Sequence, residues 1–213
     1  MYAVTTMVSM ETLPGKVRDV TDRPYHHGRL RAALLAEAER TIRKQGIEQL
    51  SLRDLARQVG VSHAAPRRHF ADRQALLDAL AEAGFARLAD ELGAAVDDAD
   101  QDYEARLRAA ATAYVRFAVR DAALLDLMFA AKNAAPSEGL REASERLFTA
   151  VGELIGQGQQ AGALPPGDPE RLLLLLVATL QGMAALVTSG RAPAGQTDAL
   201  ITDAVALFTR SRP

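Results

Sequence analysis

The stretch SLRDLARQVGVSHAAPRRHF, Ser51 to Phe70, concentrates residues whose types and spacing suit chemistry with a polyanion. Two short helices joined by a tight turn cross steeply only where small residues let them approach, and Ala56 and Gly60, four apart, give that room. Ser51 is placed to cap the first helix, with Asp54 as a shortened capping-box acid, and Leu52, Leu55, Ala56 and Val59 form its inner face. Gly60-Val61-Ser62 makes the turn, and Ser62 is expected to cap a short helix over His63 to His69, with Pro66 near its first turn, where a missing N–H costs least. The major groove of B-DNA accepts one such helix, whose first residues reach base edges while flanking groups hold phosphates. Ser51 and Ser62 offer hydroxyls and helix N-terminal amides to phosphate, Arg67, Arg68 and Arg73 supply cations, and His63, Ala64 and Ala65 occupy the reading position. The alanines suit a thymine methyl; His63 suits a base or a phosphate.

Charge is distributed to match. Arg23 to Phe70 carries ten Lys or Arg against four acids, whereas Ala71 to Pro213 carries 13 against 20, although the whole chain nets only −2. All four histidines also fall in the basic block. A basic unit joined to an acidic one implies a polyanionic partner for the first and a separate task for the second.

The elements that hold this segment read as all-α. Apolar residues recur at helical spacing, aromatic content is 5%, and no strand-like alternation of any length occurs. Helix 1 is expected from about Gly28 to Gln45, burying Leu30, Leu34, Ala38, Thr41 and Ile42, with Gly46 at its end. A long helix opens at Asp72 and buries Leu76, Leu77, Leu80, Gly84, Leu88 and Leu92. After the acidic run 97–100 come helices at roughly 102–120, 121–130, 138–161, 169–190 and 197–211, for about nine in all. The chain divides into a flexible tail (1–22), a helix-turn-helix unit (23–85) and a second helical unit (86–213), to which the resemblance described below gives a regulatory and dimerisation role.

Several chemistries are disfavoured. Absence of cysteine removes disulfides, thiolate nucleophiles and Cys-based zinc sites, and fits a cytoplasmic protein. His26 and His27 are adjacent and His63 and His69 six apart, poor spacing for a metal, so no metal or cofactor is expected. Acids 97–100 lack the glycine and bidentate Glu of a calcium loop. Enzymatic acid–base chemistry would need a His and a carboxylate converging in a pocket, yet every His lies in the basic block. Leu172 to Val187 is 16 residues long with Thr179 and Gln181 inside it, short of the roughly 20 apolar residues of a spanning helix, so a buried helix and no membrane contact are expected. In the acidic half, Tyr114, Phe117, Met128, Phe129, Phe148 and Gln181 are candidate pocket residues. Gln181 stands out because a polar amide within an apolar helix must find a partner. A helical small-molecule-binding protein without sequence-specific DNA binding is the competing reading.

Tyr25-His26-His27-Gly28, Gly60 to Pro66, Arg68-His69-Phe70 and Leu76-Leu77 resemble the tetracycline-repressor (TetR) family of bacterial regulators, in a subgroup with an Ala-Pro-Tyr-Arg-His-Phe recognition helix. Arg67 stands where that subgroup has Tyr. The resemblance implies that Ser51, Ser62, Arg67, Arg68 and Arg73 hold the DNA backbone, that His63 to Ala65 read sequence with His69 alongside, and that Phe70 packs inside. Tyr114 to Ala118, Leu127 to Phe129 and Gly182 to Ala184 resemble a regulatory domain with a Trp-His-Gly signature, although Gln181 replaces the His and the chain has no Trp. The family further implies a repressor, a palindromic operator on double-stranded DNA and release by a small-molecule effector. It also implies a homodimer built on the last two long helices, with Leu172, Leu176, Leu180, Met183 and Val187 as the stripe.

Overall fold

A computed structural model describes residues 24–100, 102–133 and 136–209, and within them all side chains except those of 24–28 and 133. The expected tail and the side chains of Tyr25 to Gly28 lie outside the described residues. Eight α-helices and three short 3-10 helices form the described structure, with no strand among the described residues. The helices are α1 (Pro24–Gln45), α2 (Leu52–Val59), α3 (Arg73–Asp97), α4 (Tyr103–Arg120), α5 (Ala122–Asn133), α6 (Glu138–Gln160), α7 (Pro169–Thr188) and α8 (Thr197–Thr209). Local chemistry explains their starts. Asp72 caps α3 by accepting from the Ala75 N–H at 2.8 Å, and Asp168 caps α7 from the Glu170 N–H at 2.9 Å with Pro169 at the first helical position. Gly60 ends α2 at φ 76°, a left-handed conformation that glycine adopts without steric cost.

One apolar cluster runs from Leu34 to Val205, and α3 is its spine. Its N-terminal half, with Leu76 and Leu80 fully buried, supports α1, on which α2 packs, while its C-terminal half packs on α4, α5 and α6. At Gly84 the α5 side chain of Met128 comes so close that a Cβ there would lie 2.6 Å from its sulfur. The expected boundary at 85/86 falls inside this unbroken helix, so the two halves share a rigid element.

Two elements differ from expectation. His63 to His69 forms no α-helix: it is a chain of turns ending in a 3-10 helix, Pro66–Arg68, closed by Ala65 N–H to Ser62 O, Arg68 N–H to Ala65 O and His69 N–H to Pro66 O. Pro66 has no N–H to bond back to Ser62, so although Ala65 before it keeps helical dihedrals (φ −63°, ψ −44°) the segment closes chiefly through i to i+3 bonds. Ser62 therefore contributes its carbonyl to the turn and caps no helix. The second difference is α7, a 20-residue helix with mean hydropathy 1.8, long and apolar enough to cross a membrane by composition, of which only 22% is buried. A buried helix was expected, with burial completed between subunits; within this one chain most of α7 is left uncovered.

Candidate nucleic-acid interface and internal cavity

The turn after α2 carries an exposed polar edge. Ser62, His63, Ala64, Arg67 and Arg68 are exposed, Ala65 and His69 are half-buried, and the fully packed Pro66 and Phe70 anchor the segment from beneath. Arg31 of α1 lies over the Phe70 ring, 5.6 Å from its centroid. Neither the Arg67 nor the Arg68 side chain makes an ion pair or a hydrogen bond with the described residues, so both cations are available to an outside partner.

Two residues expected at this edge are spent elsewhere. The Ser51 hydroxyl donates to Asp54 Oδ2 at 2.6 Å and accepts from the Asp54 N–H at 3.1 Å, which makes it a helix cap with its proton engaged. That bond also holds the Asp54 carboxyl below its ordinary range. Arg73 donates to the carbonyls of Leu50 at 3.1 Å and Ile47 at 2.6 Å. It braces the loop between α1 and α2 from the start of α3, with its Nε and Nη2 engaged by the scaffold and the side chain still exposed. Nothing in the local sequence signals this, because the carbonyls lie 23 and 26 residues away.

A second cluster went unrecognised in the sequence. Asp121, at the end of α4, has a buried carboxylate that receives Arg43 of α1, Arg87 of α3 and Arg120 of α4. Arg43 Nε lies at 3.1 Å, Arg87 Nη2 at 3.1 Å and Arg120 Nε at 2.6 Å. Arg87 also reaches Glu39 of α1 at 2.6 Å, and Arg120 reaches Glu91 of α3 at 2.8 Å. Burial pushes the Asp121 carboxyl up, but bonds from Arg120 and Arg43 and the charges of Arg87 and Arg120 outweigh it and hold the group below its usual range. Helices of both halves thus meet on one carboxylate.

The expected pocket residues separate. Tyr114, Phe129 and Phe148 line an apolar cavity of about 50 Å³ between α3, α4, α5, α6 and α7. Phe117 does not reach it, being fully buried beneath the guanidiniums of Arg87 and Arg120 at 5.2 and 5.4 Å. Met128 fills the space over Gly84. Gln181 is exposed, in a surface groove beside Leu125, Asp126 and Ala185, and its side chain also approaches the Tyr114 hydroxyl. Burial pushes the Tyr114 hydroxyl up to about 12 against a partial lowering by Gln181, and it makes no hydrogen bond of normal geometry.

The dimer stripe also turns out to face inward. Leu176 and Leu180 are buried against the cavity, and Leu172, Met183 and Val187 are half-buried. The open apolar face of α7 is its other side, Leu174, Leu175, Ala178, Gly182, Ala185 and Leu186, with Leu207 of α8 exposed as well. A helix apolar on every side gives periodicity no phase from which to choose.

Residues 34–80 match the model for bacterial regulatory proteins of the tetR family, and residues 107–208 match that for a tetracyclin repressor-like C-terminal domain. A protein of unknown function from Rhodococcus sp. RHA1 shares 43% identity over 89% of this chain and all of its own, with a TM-score of 0.79. A TetR-family transcription regulator from Marinobacter aquaeolei VT8, 16% identical, has the same fold over 88% of this chain and 99% of its own, with a TM-score of 0.72. The TetR-family regulator PfmR from Thermus thermophilus, at 19% identity, overlaps 84% of this chain and 98% of its own with a TM-score of 0.64. The search among curated proteins found no match.

Proposed function

The chain belongs to the TetR family of DNA-binding transcription regulators, and we propose that it is a homodimeric cytoplasmic repressor that binds a palindromic operator and is released by a small molecule. The observation that carries this reading is the edge formed by exposed His63 and Ala64 beside Arg67 and Arg68, two cations with no acidic partner among the described residues. Arg67 and Arg68 hold phosphates while His63 and Ala64 meet base edges. Two alanines and one histidine encode little sequence directly, so DNA shape contributes to selectivity.

The uncovered face of α7 supports the dimer. Leu174 and Leu175 are 68% and 53% exposed on a helix whose other side is locked into the subunit, which favours a matching helix of a second copy over lipid. A two-fold pairing there presents two reading edges to successive turns of DNA. The Asp121 cluster supports the release step, since α4 carries Tyr114 at the cavity and Asp121 at the grip on α1.

A mobility-shift titration with the DNA flanking the coding region and excess non-specific competitor tests the proposal. A competitor-resistant complex lost in Arg67→Ala/Arg68→Ala upholds it. If an unbiased selection from random DNA also yields no preferred sequence, the chain is a helical binding protein without operator recognition. Leu175→Glu/Leu186→Glu is expected to sediment as a monomer and to lose the operator; a dimer that persists would place the interface elsewhere.

A further inference from the structure

The cavity between α3, α4, α6 and α7 is walled by leucine, alanine, valine and aromatic rings, and no charged side chain lines it. Its one polar atom belongs to Tyr114, a residue 7% exposed whose hydroxyl is buried without a hydrogen bond of normal geometry. Gln181 approaches this hydroxyl without forming a bond of normal geometry, so an incoming acceptor would meet a donor already stripped of solvent and only weakly engaged. The volume of about 50 Å³ is far below what a ligand occupies, yet the space does not end there. Leu92, Ala110, Leu147, Val151 and Leu154 also wall an outer crevice of about 230 Å³ between α3, α4 and α6. These five residues separate the two spaces, and movement of their side chains joins them into one passage. At the outer rim Arg106 donates to Gln157 at 3.2 Å and faces Asp97 and Glu153, so the rim does not select for anions.

We propose that this passage binds an uncharged, largely apolar molecule carrying a single hydrogen-bond acceptor, such as a ketone or ester, which enters between α4 and α6 and accepts from the Tyr114 hydroxyl. The inference rests on the small-molecule release step of the proposed function and names the class of molecule. A carboxylate ligand is disfavoured because no cation lines the inner cavity and Arg106 at the outer rim is offset by Asp97 and Glu153.

Isothermal titration calorimetry on the full-length protein, free of DNA, with butyrophenone, butylbenzene and 4-phenylbutyrate tests this, because the first two differ only by a carbonyl in place of a methylene. The ketone is expected to bind roughly tenfold tighter than the hydrocarbon, the value of one well-placed hydrogen bond, and the acid to bind more weakly than the ketone. Tyr114→Phe should bring the ketone to the level of the hydrocarbon and leave the hydrocarbon unchanged. Val151→Phe should abolish binding of the ketone and hydrocarbon while helicity and the melting temperature are retained. Equal binding of ketone and hydrocarbon, tightest binding of the acid, or no binding of any probe to the unmodified protein would each overturn the proposal. Should the ketone bind but leave the protein–DNA complex intact, the ligand class stands and only the release step of the proposed function falls.

Discussion

Arg67 and Arg68 stand exposed at the turn after α2 with no acidic partner among the described residues, whereas Arg43, Arg87 and Arg120 converge on one buried carboxylate at the junction of the two halves. Both groups are arginines of helical segments, and composition treats them alike. What separates them is where the counter-charge lies. Asp121 neutralises the second group within the fold and turns it into structure. The first group is left for a phosphate backbone, where neutralisation also releases condensed counterions.

The largest effect that tests the comparison is on stability. Asp121→Ala leaves three guanidiniums around a vacated buried site, and removal of one partner from a buried ion cluster costs about 3–5 kcal/mol. Chemical denaturation should show that loss in the midpoint, while Arg67→Ala/Arg68→Ala should unfold like the unmodified protein. Equal destabilisation by the two changes would break the distinction between structural and available arginines.

The second effect is on DNA. Losing two phosphate contacts should weaken operator binding by roughly 10- to 100-fold and reduce the slope of log affinity against log salt by about 2, since each contact adds about 0.9. Fluorescence anisotropy across a salt series reads both quantities. An unchanged slope would mean that these arginines do not meet phosphate.

Acid should erase the advantage of the junction, by a smaller amount. The folded Asp121 carboxyl is held below its ordinary range. Its stabilisation is therefore fully present above the unfolded value of about 3.9 and is lost as pH falls through the lower, folded one. Asp121→Asn should be less stable than the unmodified protein by a constant margin from pH 7 to about 5, and the margin should close below about 4. Denaturation midpoints of both proteins at several pH values decide it; a margin that does not change would show that shape and packing, not charge, hold the cluster.

The sequence shows the frame of the molecule more clearly than its long-range contacts. Ser51, Asp72, Asp168 and Gly60 act within a few residues of themselves, so the ends of α2, α3 and α7 are legible from local chemistry. At the reading edge, His63, Ala64, Arg67 and Arg68 lie exposed as anticipated, but Pro66 converts the anticipated helix into 3-10 turns. Arg73 depends on carbonyls 23 and 26 residues away, and Asp121, besides the adjacent Arg120, on arginines 34 and 78 residues away, which no local pattern encodes. The stretch from Val115 to Phe129 also holds Arg116, Arg120 and Asp126, so nothing in the pattern singled out Asp121 as the buried acid. Gln181 lies exposed with its side chain approaching the Tyr114 hydroxyl, whereas Asp121 is met by three arginines, a difference that only packing decides.

Arg57 sharpens the contrast by separating pairing from burial. It bridges Asp54 at 2.8 Å on α2, but both side chains are solvated, at 70% and 44% exposure. Water and salt screen such a pair, so Arg57→Ala should change stability by only about 0–1 kcal/mol despite a contact as short as those of the junction. If thermal denaturation instead gave a loss near that of Asp121→Ala, ion pairing itself would set the stability of this fold. If the change is small, burial of the shared carboxylate is what distinguishes Arg43, Arg87 and Arg120, and an exposed arginine with or without a neighbour remains open to exchange its partner for DNA.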